Sequence, residues 1–181
     1  MPSKKNLELK HFCPDFETVR AVLRDLGAVE EKVKVQKDYF FNVPSTKDSA
    51  SGRLKLRAEE GRQFIIYYER PEFQKGKDTA SAIQLYDVHD DGLLPFLQKA
   101  LGVKAMVEKR REVWRIANTV FHLDAVVGVG NIFEIELQKD GEISEEDRRL
   151  FASYQATLLP YLGGVVTGSN VDLVLQQVHA A

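Results

Sequence analysis

Apolar and polar residues alternate with a period of two along most of the chain, a pattern typical of β-strands. It predicts strands at about residues 4–12, 33–43, 52–59, 62–71, 80–88, 104–116, 119–127 and 131–138. Short turn sequences such as Glu60-Gly61 and Ala117-Asn118 join neighbouring strands as hairpins. The pattern therefore predicts a meandering antiparallel sheet of eight strands, long enough to close into a barrel.

Apolar residues at helical spacing interrupt this alternation in four places. The first helix is expected after Asp15, a good N-cap, and should end at Gly27. The third should open with a capping box formed by Ser144 and Asp147. The predicted helical ranges are 16–26, 91–101, 144–162 and a last one that begins near 169. An α+β fold follows, with amphipathic helices packed on the outside of the barrel.

Composition narrows the functional classes. The chain has 181 residues, and 25 Lys and Arg nearly balance 27 Asp and Glu, so a basic nucleic-acid-binding protein is not expected. The length suits one domain over 1–181. The single Cys13 cannot form an internal disulfide, which favours the reducing cytoplasm. No apolar run approaches the roughly 18 residues of a membrane span, so no membrane association is predicted.

Charged residues follow the same alternation and collect on one face of several strands. Arg53, Lys55 and Arg57 share one face of their strand, opposite Leu54 and Leu56. The other charged residues that share a strand face are Glu8 with Lys10, Lys109 with Arg111, Glu134 with Glu136, and Asp124 with His122.

Two interpretations of these charged faces stay open. An antiparallel sheet commonly buries one face and exposes the other, so each charged face could simply lie in water. If the helices cover the outside of a closed barrel, however, the charged faces must point into its interior. A lumen with cations for phosphate oxygens and carboxylates for a divalent metal would be a polyphosphate site.

The order of these motifs resembles the CYTH, or triphosphate-tunnel metalloenzyme, family over about residues 6–175. That family includes class IV adenylate cyclases, thiamine triphosphatases and inorganic tripolyphosphatases. The segments that carry the resemblance are Asn6-Leu-Glu-Leu-Lys10, Gly52-Arg-Leu-Lys-Leu-Arg57, Val107-Glu-Lys-Arg-Arg-Glu-Val-Trp114, His122-Leu-Asp124, Gly128-Val-Gly130 and Phe133-Glu-Ile-Glu136, with a weaker match at Ser169-Asn-Val-Asp-Leu173.

The resemblance implies an eight-stranded antiparallel barrel whose tunnel binds a triphosphate together with Mg²⁺ or Mn²⁺. It implies Glu8, Glu134 and Glu136 as metal ligands and Asp124 as a metal-organising acid or general base. The implied triphosphate ligands are Lys10, Arg53, Lys55, Arg57, Lys109 and Arg111. Of these, Lys109 and Arg111 join Asp124 as the implied catalytic residues. Charge complementarity supports the match, because a triphosphate carries about four negative charges.

Three departures from the family pattern affect these expectations. Asn6 replaces the first Glu of the opening motif, which removes one acidic ligand. Glu69-Arg70-Pro71 stands where the family has Lys-Gly-Pro, so Arg70 replaces that Lys only if a bulge re-aims it. The fifth predicted strand, around Gln84, lacks the usual acids.

The leading hypothesis is a cytoplasmic, metal-dependent enzyme that resembles class IV adenylate cyclases and converts ATP to cyclic AMP and pyrophosphate. The first alternative is hydrolysis of an inorganic or organic triphosphate, such as tripolyphosphate or thiamine triphosphate. The second is a domain that binds polyphosphate or nucleotide without turnover. The expected partner is a triphosphate small molecule, and a homodimer is compatible with the sequence.

Overall fold

The computed structural model describes residues 4–43, 52–69 and 83–180. The strands and helices of these residues are, in chain order, β1 (Lys4–Phe12), α1 (Phe16–Asp25), β2 (Val29–Phe41), β3 (Gly52–Glu59), β4 (Arg62–Glu69), β5 (Ile83–Val88), α2 (Leu93–Leu101), β6 (Val103–Ile116), β7 (Thr119–Val126), β8 (Gly130–Asp140), α3 (Glu145–Leu158) and α4 (Asn170–Ala180). A 3-10 turn, Leu159–Tyr161, follows α3. The elements predicted from the alternation are confirmed, although β2 begins at Val29 rather than at residue 33.

The predicted helix boundaries have the expected local causes. The side chain of Asp15 accepts a hydrogen bond from the backbone N–H of Glu17 at 2.9 Å. After α1 the chain turns at Gly27, which has a φ of 85°. Ser144 and Asp147 form the capping box at the start of α3, where both of its reciprocal bonds are present. These bonds satisfy N–H groups that the first helical turn cannot pair internally.

The strands form one antiparallel sheet in the order β1-β8-β7-β6-β2-β3-β4-β5. The eight-stranded antiparallel architecture is thus confirmed. Among the described residues, the edge strands β1 and β5 do not pair with each other. The sheet is nevertheless strongly curled, because a single cavity contacts Lys10 on β1 and Tyr68 on β4, close to the two ends of the strand order.

The apolar face of the sheet carries three of the helices. Phe121, Leu123, Phe133 and Ile135 are buried there against α1 and α3. On the other half of the same face, α2 packs on β2 and β3 through a separate buried cluster of Phe41, Leu56 and Leu97. Each such side chain contributes about 1.5–3 kcal/mol on burial, so this face supplies much of the stability of the fold.

The fourth helix lies on the opposite, charged face. Val171 and Leu173 of α4 pack on apolar residues that belong to the ends of the charged strands, namely Phe40, Val107, Val126 and Ile132. The expectation that helices cover the outside of the sheet therefore holds for α1, α2 and α3, whereas α4 covers one end of the charged face. No helix among residues 4–43, 52–69 and 83–180 is long and apolar enough to cross a membrane.

Candidate functional site

The charged face of the curled sheet encloses a cavity of about 230 Å³ next to the start of α4. Its lining residues are Glu8, Lys10, Asp38, Phe40, Lys55, Arg57, Tyr68, Val107, Lys109, Arg111, Glu134, Ser169, Asn170 and Val171. The cavity brings together most of the residues predicted to bind a triphosphate, from strands far apart in sequence. Their inward orientation follows from the alternation and from the position of α1, α2 and α3 on the other face.

Asp124 is the most deeply buried acid of this face, with 1% of its surface exposed. Its carboxylate accepts a hydrogen bond from Nζ of Lys109 at 2.9 Å and two from Arg111 at 2.6 Å each. The side-chain amide of Asn170, on α4, donates a further hydrogen bond at 3.1 Å. Burial alone would raise the pKa of Asp124, but Arg111 and Lys109 outweigh it and hold the pKa below its usual range. Asp124 is therefore ionised, and its oxygens are occupied by cations.

A second acid, Asp38 of β2, holds another pair of cations in the same manner. Arg57 donates Nε and one Nη to Asp38 at 2.7 and 2.8 Å, and Nζ of Lys55 donates at 2.7 Å. Asp38 is 3% exposed. Burial again opposes ionisation, and Arg57 and Lys55 overcome it, so the pKa of Asp38 lies below its usual range. Sequence reasoning missed Asp38, although it shares a strand face with Phe40 and lies directly opposite Arg57 in the register.

Both lysines of these clusters are easier to deprotonate than a lysine in water. Burial, assisted by Arg111, lowers the pKa of Lys109 to about 7, against the attraction of Asp124. Burial also lowers the pKa of Lys55 to about 8; Asp38 opposes the change, while Arg57 adds to it. Arginine shows the opposite behaviour, since Asp124 and Glu134 keep the pKa of Arg111 above its ordinary value despite burial.

Carboxylates concentrate on the side formed by β1 and β8. Glu8 lies directly opposite Glu136, and Lys10 lies opposite Glu134. Like charges facing each other across a sheet repel, so this arrangement needs a cation. Lys10 supplies part of that charge, since Nζ is 2.5 Å from Glu8 and 3.2 Å from Glu134.

Two further polar side chains, Asn6 and His122, lie next to Glu136. The side-chain amide of Asn6 donates to it, and Nε2 of His122 lies 3.6 Å away. Burial and Arg111 lower the pKa of His122, which favours the neutral imidazole at neutral pH. Asn6 occupies the position at which the family pattern has a Glu. It thus donates a hydrogen bond to Glu136 without adding charge.

These acids suit a hard divalent cation, which prefers carboxylate oxygens. Among the described residues, no three His, Cys, Asp or Glu side chains form a ready-made metal site. Mg²⁺ usually takes only one or two carboxylates and completes its coordination with water and substrate phosphates. Glu8, Glu134 and Glu136 therefore fit a metal that binds together with a phosphate ligand, with Lys10 moving aside.

One predicted triphosphate ligand, Arg53, does not line the central cavity. Arg53 turns towards α4, where it donates to Asp172 at 2.9 and 3.2 Å and contacts the hydroxyl of Ser169. Arg70 lies outside the described residues. Arg53 therefore fixes the helix that closes this end of the charged face, a role that sequence reasoning did not anticipate.

Two further cavities adjoin the central one. One of about 270 Å³ lies on the α4 side, shares Phe40 and Val171 with the central cavity, and is also lined by Phe41 and Arg53. The other, of about 190 Å³, lies beyond Arg57 and Arg111 and is lined by residues that include Lys34 and His122. Because Arg57 and Arg111 line both that cavity and the central one, polar space continues along the charged face.

The aromatic residues that could stack on a base divide between the two faces. Trp114 is 2% exposed and packs with α1 on the apolar face. Tyr68 lines the central cavity, where its ring centroid lies 5.9 Å from Nζ of Lys55. Trp114 is therefore part of the core, whereas Tyr68 and Phe40 line the central cavity.

The family model of the CYTH domain matches residues 4–158. This chain belongs to the CYTH family. CYTH proteins bind triphosphates, are typically cyclases or triphosphatases, and generally use divalent metal ions. The matched segment ends with α3, so α4 and its contacts with Asp124 and Arg53 lie beyond it.

Solved structures of other proteins share this fold. Protein PH1012 from Pyrococcus horikoshii OT3 superposes with a TM-score of 0.75 at 22% identity, over 93% of this chain and 99% of that one. A candidate adenylate cyclase from Vibrio parahaemolyticus gives 0.72 at 17% identity, over 94% and 98% of the two chains.

A third structure with this fold is that of the candidate adenylyl cyclase HpAC1 from Hippeastrum, for which a dominant triphosphatase activity is described. It gives a TM-score of 0.63 at 15% identity, over 95% of each chain. No curated protein matches the sequence. At these identities the likeness establishes the fold, and the reaction has to be argued from the site.

Proposed function

We propose that this CYTH protein is a metal-dependent enzyme that binds ATP by its triphosphate and converts it to cyclic AMP and pyrophosphate. One observation carries the proposal. A single cavity of about 230 Å³ is lined by five Lys and Arg side chains and three carboxylates, drawn from five strands. Such a lining would be a poor core, but it matches an anionic ligand that arrives with a divalent cation.

The two sides of the cavity would take different parts of this ligand. Lys55, Arg57, Lys109 and Arg111 would hold phosphate oxygens, because a guanidinium has five N–H donors and the contacts with Asp38 and Asp124 leave some of them available. A divalent cation, Mg²⁺ or Mn²⁺, held by Glu8, Glu134 and Glu136 would neutralise charge on the reacting phosphoryl group.

Cyclisation requires the ribose 3′-oxygen to attack the α-phosphorus. The bond from that phosphorus to the bridging oxygen breaks, pyrophosphate leaves, and the hydroxyl proton passes to water. Arg111 and Lys109 would stabilise charge that develops on the oxygens in the transition state. Asp124 would act as the carboxylate that holds these cations in position. It is a weak base, because its pKa is low and it already accepts four hydrogen bonds.

The neighbouring cavity of about 270 Å³ supports an organic substrate. It shares Phe40 and Val171 with the central cavity, and its lining combines apolar side chains such as Phe41 and Leu54 with polar ones such as Arg53 and Lys104. A nucleoside attached to the triphosphate would find both apolar surface and polar partners there.

Hydrolysis of a triphosphate is the second candidate. The volume of the central cavity is smaller than the roughly 300–1,000 Å³ of typical organic ligand sites. Its charged side chains surround this small volume, which suits a compact anion such as a triphosphate. In that reaction water attacks the γ-phosphorus and the bond from that phosphorus to its bridging oxygen breaks. The diphosphate portion leaves, the γ-phosphoryl group becomes inorganic phosphate, and the proton from the attacking water passes to solvent. Both reactions need the same residues and differ in which phosphorus meets the nucleophile.

An assay of the purified protein separates the candidates. ATP and tripolyphosphate are each supplied with Mg²⁺ or Mn²⁺, and cyclic AMP, pyrophosphate and phosphate are all quantified. Cyclic AMP with equimolar pyrophosphate supports the cyclase, and phosphate without cyclic AMP supports the triphosphatase. Tight binding of either compound without any product would contradict both and leave a binding domain.

A further inference from the structure

Asp38 is a buried acid that neither the predicted ligand set nor the family resemblance assigned to the site. Its carboxylate receives three charge-assisted hydrogen bonds, from Nε and Nη of Arg57 and from Nζ of Lys55, all at 2.7 or 2.8 Å. Both cations line the central cavity together with Asp38 itself. The acid is thus part of the cavity wall, and it acts on the two side chains best placed to meet a ligand there.

The geometry of the contact fixes the direction of Arg57. Two of its five N–H donors are engaged side by side with the two carboxylate oxygens, which sets the plane of the guanidinium. Three N–H donors remain, one on the bound Nη and two on the other Nη. An arginine held in this way presents its fork to a phosphate without first losing side-chain freedom.

Lys55 depends on Asp38 for its charge. The ionisable groups that face its amine are Asp38 on β2, Arg57 on β3, Arg111 on β6 and Tyr68 on β4. Arg57 and Arg111 repel a charged amine, and burial disfavours it, so the pKa of Lys55 falls to about 8. Among these groups Asp38 is the anion that keeps Lys55 mostly protonated near neutral pH.

We infer that Asp38 is a positioning residue that holds Arg57 in place and keeps Lys55 protonated, so that the β3 side of the cavity presents two fixed cations to a polyphosphate. The inference rests on the proposed triphosphate site, which it deepens by naming what maintains its charge. Asp38 itself, as an anion, repels phosphate, so its role is to act through its two partners rather than to bind the ligand.

Replacing Asp38 by Asn tests this directly. The amide keeps the size of the side chain and one acceptor for Arg57, but it presents an N–H where Lys55 now finds an oxygen. The matched control is Asp87→Asn, since Asp87 accepts from Arg62 at 2.7 Å in an exposed Asp–Arg pair outside the central cavity.

The first readout needs no ligand. The pKa of Lys55 is measured by NMR of the labelled side-chain Cε in wild type, Asp38→Asn and Asp87→Asn. We expect a value near 8 in wild type and in the control, and a fall of about one unit or more in Asp38→Asn. An unchanged Lys55 pKa in Asp38→Asn, or an equal fall in the control, would overturn the inference.

The second readout is calorimetric binding of tripolyphosphate, without metal, across about pH 6–9. Wild-type affinity should decline as the pH rises through about 8, where Lys55 loses its proton. In Asp38→Asn that decline should move to lower pH, with affinity about tenfold weaker at neutral pH. A pH profile that superposes on wild type would contradict the inference.

A Lys55→Gln variant covers the case in which Asp38→Asn does not fold, because it removes a buried charge and leaves the Asp38–Arg57 pair intact. It should remove the part of the decline centred near pH 8 and leave the part near pH 7 that Lys109 contributes. A pH profile that superposes on wild type would overturn the role given to Lys55. If tripolyphosphate and ATP fail to bind even to wild type, the proposed function fails, while the ligand-free titration still decides the inference.

Discussion

The two aspartate clusters on the charged face are built alike and surrounded differently. In each, an Asp lies directly opposite an Arg on the neighbouring strand, and a Lys two residues before that Arg donates to the same carboxylate. The pairs are Asp38 with Arg57 and Asp124 with Arg111. The arrangement of one Asp, one Arg and one Lys is therefore the same on both sides of the cavity.

Their neighbours differ in charge. Around Asp124 the network continues through Arg111 to Glu134 at 3.2 Å, and from there to Lys10 and Glu8. Around Asp38 the amine of Lys55 lies 5.3 Å from the ring centroid of Phe40 and 5.9 Å from that of Tyr68. The first side therefore combines Lys109 and Arg111 with carboxylates that suit a cation, whereas the second presents Lys55 and Arg57 beside aromatic rings.

Asp124→Ala should break the acid-rich side and have the largest effect. It would leave Lys109 and Arg111 buried without their partner, and breaking a buried pair in this way costs about 3–5 kcal/mol. We expect the free energy of unfolding in urea to fall by that amount. The exposed Asp87→Ala should cost less than about 1 kcal/mol, and equal losses in the two variants would contradict the burial argument.

Glu136→Gln should remove metal-dependent turnover and leave the fold intact. The change keeps the size of the side chain and its contact with Asn6 but removes the charge that a divalent cation needs. Turnover with Mg²⁺ or Mn²⁺ should drop by about a hundredfold or more, with an unchanged melting temperature. Wild-type activity in this variant would refute the metal assignment.

Arg57→Ala should weaken the phosphate side. Loss of a charge-assisted pair with a phosphate should make the free energy of triphosphate binding less favourable by more than about 1.5 kcal/mol. Arg62→Ala serves as the control, because Arg62 pairs with Asp87 in solvent. Unchanged affinity in Arg57→Ala would mean that this guanidinium does not contact the ligand.

Arg53→Ala should have the smallest effect. Arg53 and Asp172 are each about one quarter to one third exposed, so their pair should contribute about 1 kcal/mol or less. Because the pair holds the first turn of α4, amide hydrogen exchange at the start of that helix should accelerate, while triphosphate affinity should change little. A loss of affinity as large as that of Arg57→Ala would restore Arg53 to the triphosphate ligands.

Alternation was sufficient to predict the strands and the charged residues that share one strand face, whereas it left open whether that face points inward. Its success depends on the apolar partners on the opposite face, such as Leu54 and Leu56 between Arg53, Lys55 and Arg57. That contrast disappears where apolar residues occur on both faces. Asp38 was missed for this reason, because it stands in a strand end with Tyr39, Phe40 and Phe41.

The position of α4 could not be read from its own sequence. Its apolar residues fit any apolar surface, and the surface it covers is assembled from single residues of four strands. One signal was present in retrospect, since Phe40, Val107, Val126 and Ile132 are apolar positions on otherwise polar strand faces. The link between Arg53 and Asp172 joins residues more than a hundred positions apart, which no local pattern reveals.

The division of labour between the two sides is tested most directly by calorimetric binding of tripolyphosphate to Glu136→Gln and Arg57→Ala, each with chelator and with Mn²⁺. We predict that Glu136→Gln keeps the wild-type affinity in chelator and loses only the gain that Mn²⁺ confers, whereas Arg57→Ala is weaker than wild type under both conditions. Equal losses by the two variants in both conditions would contradict the account.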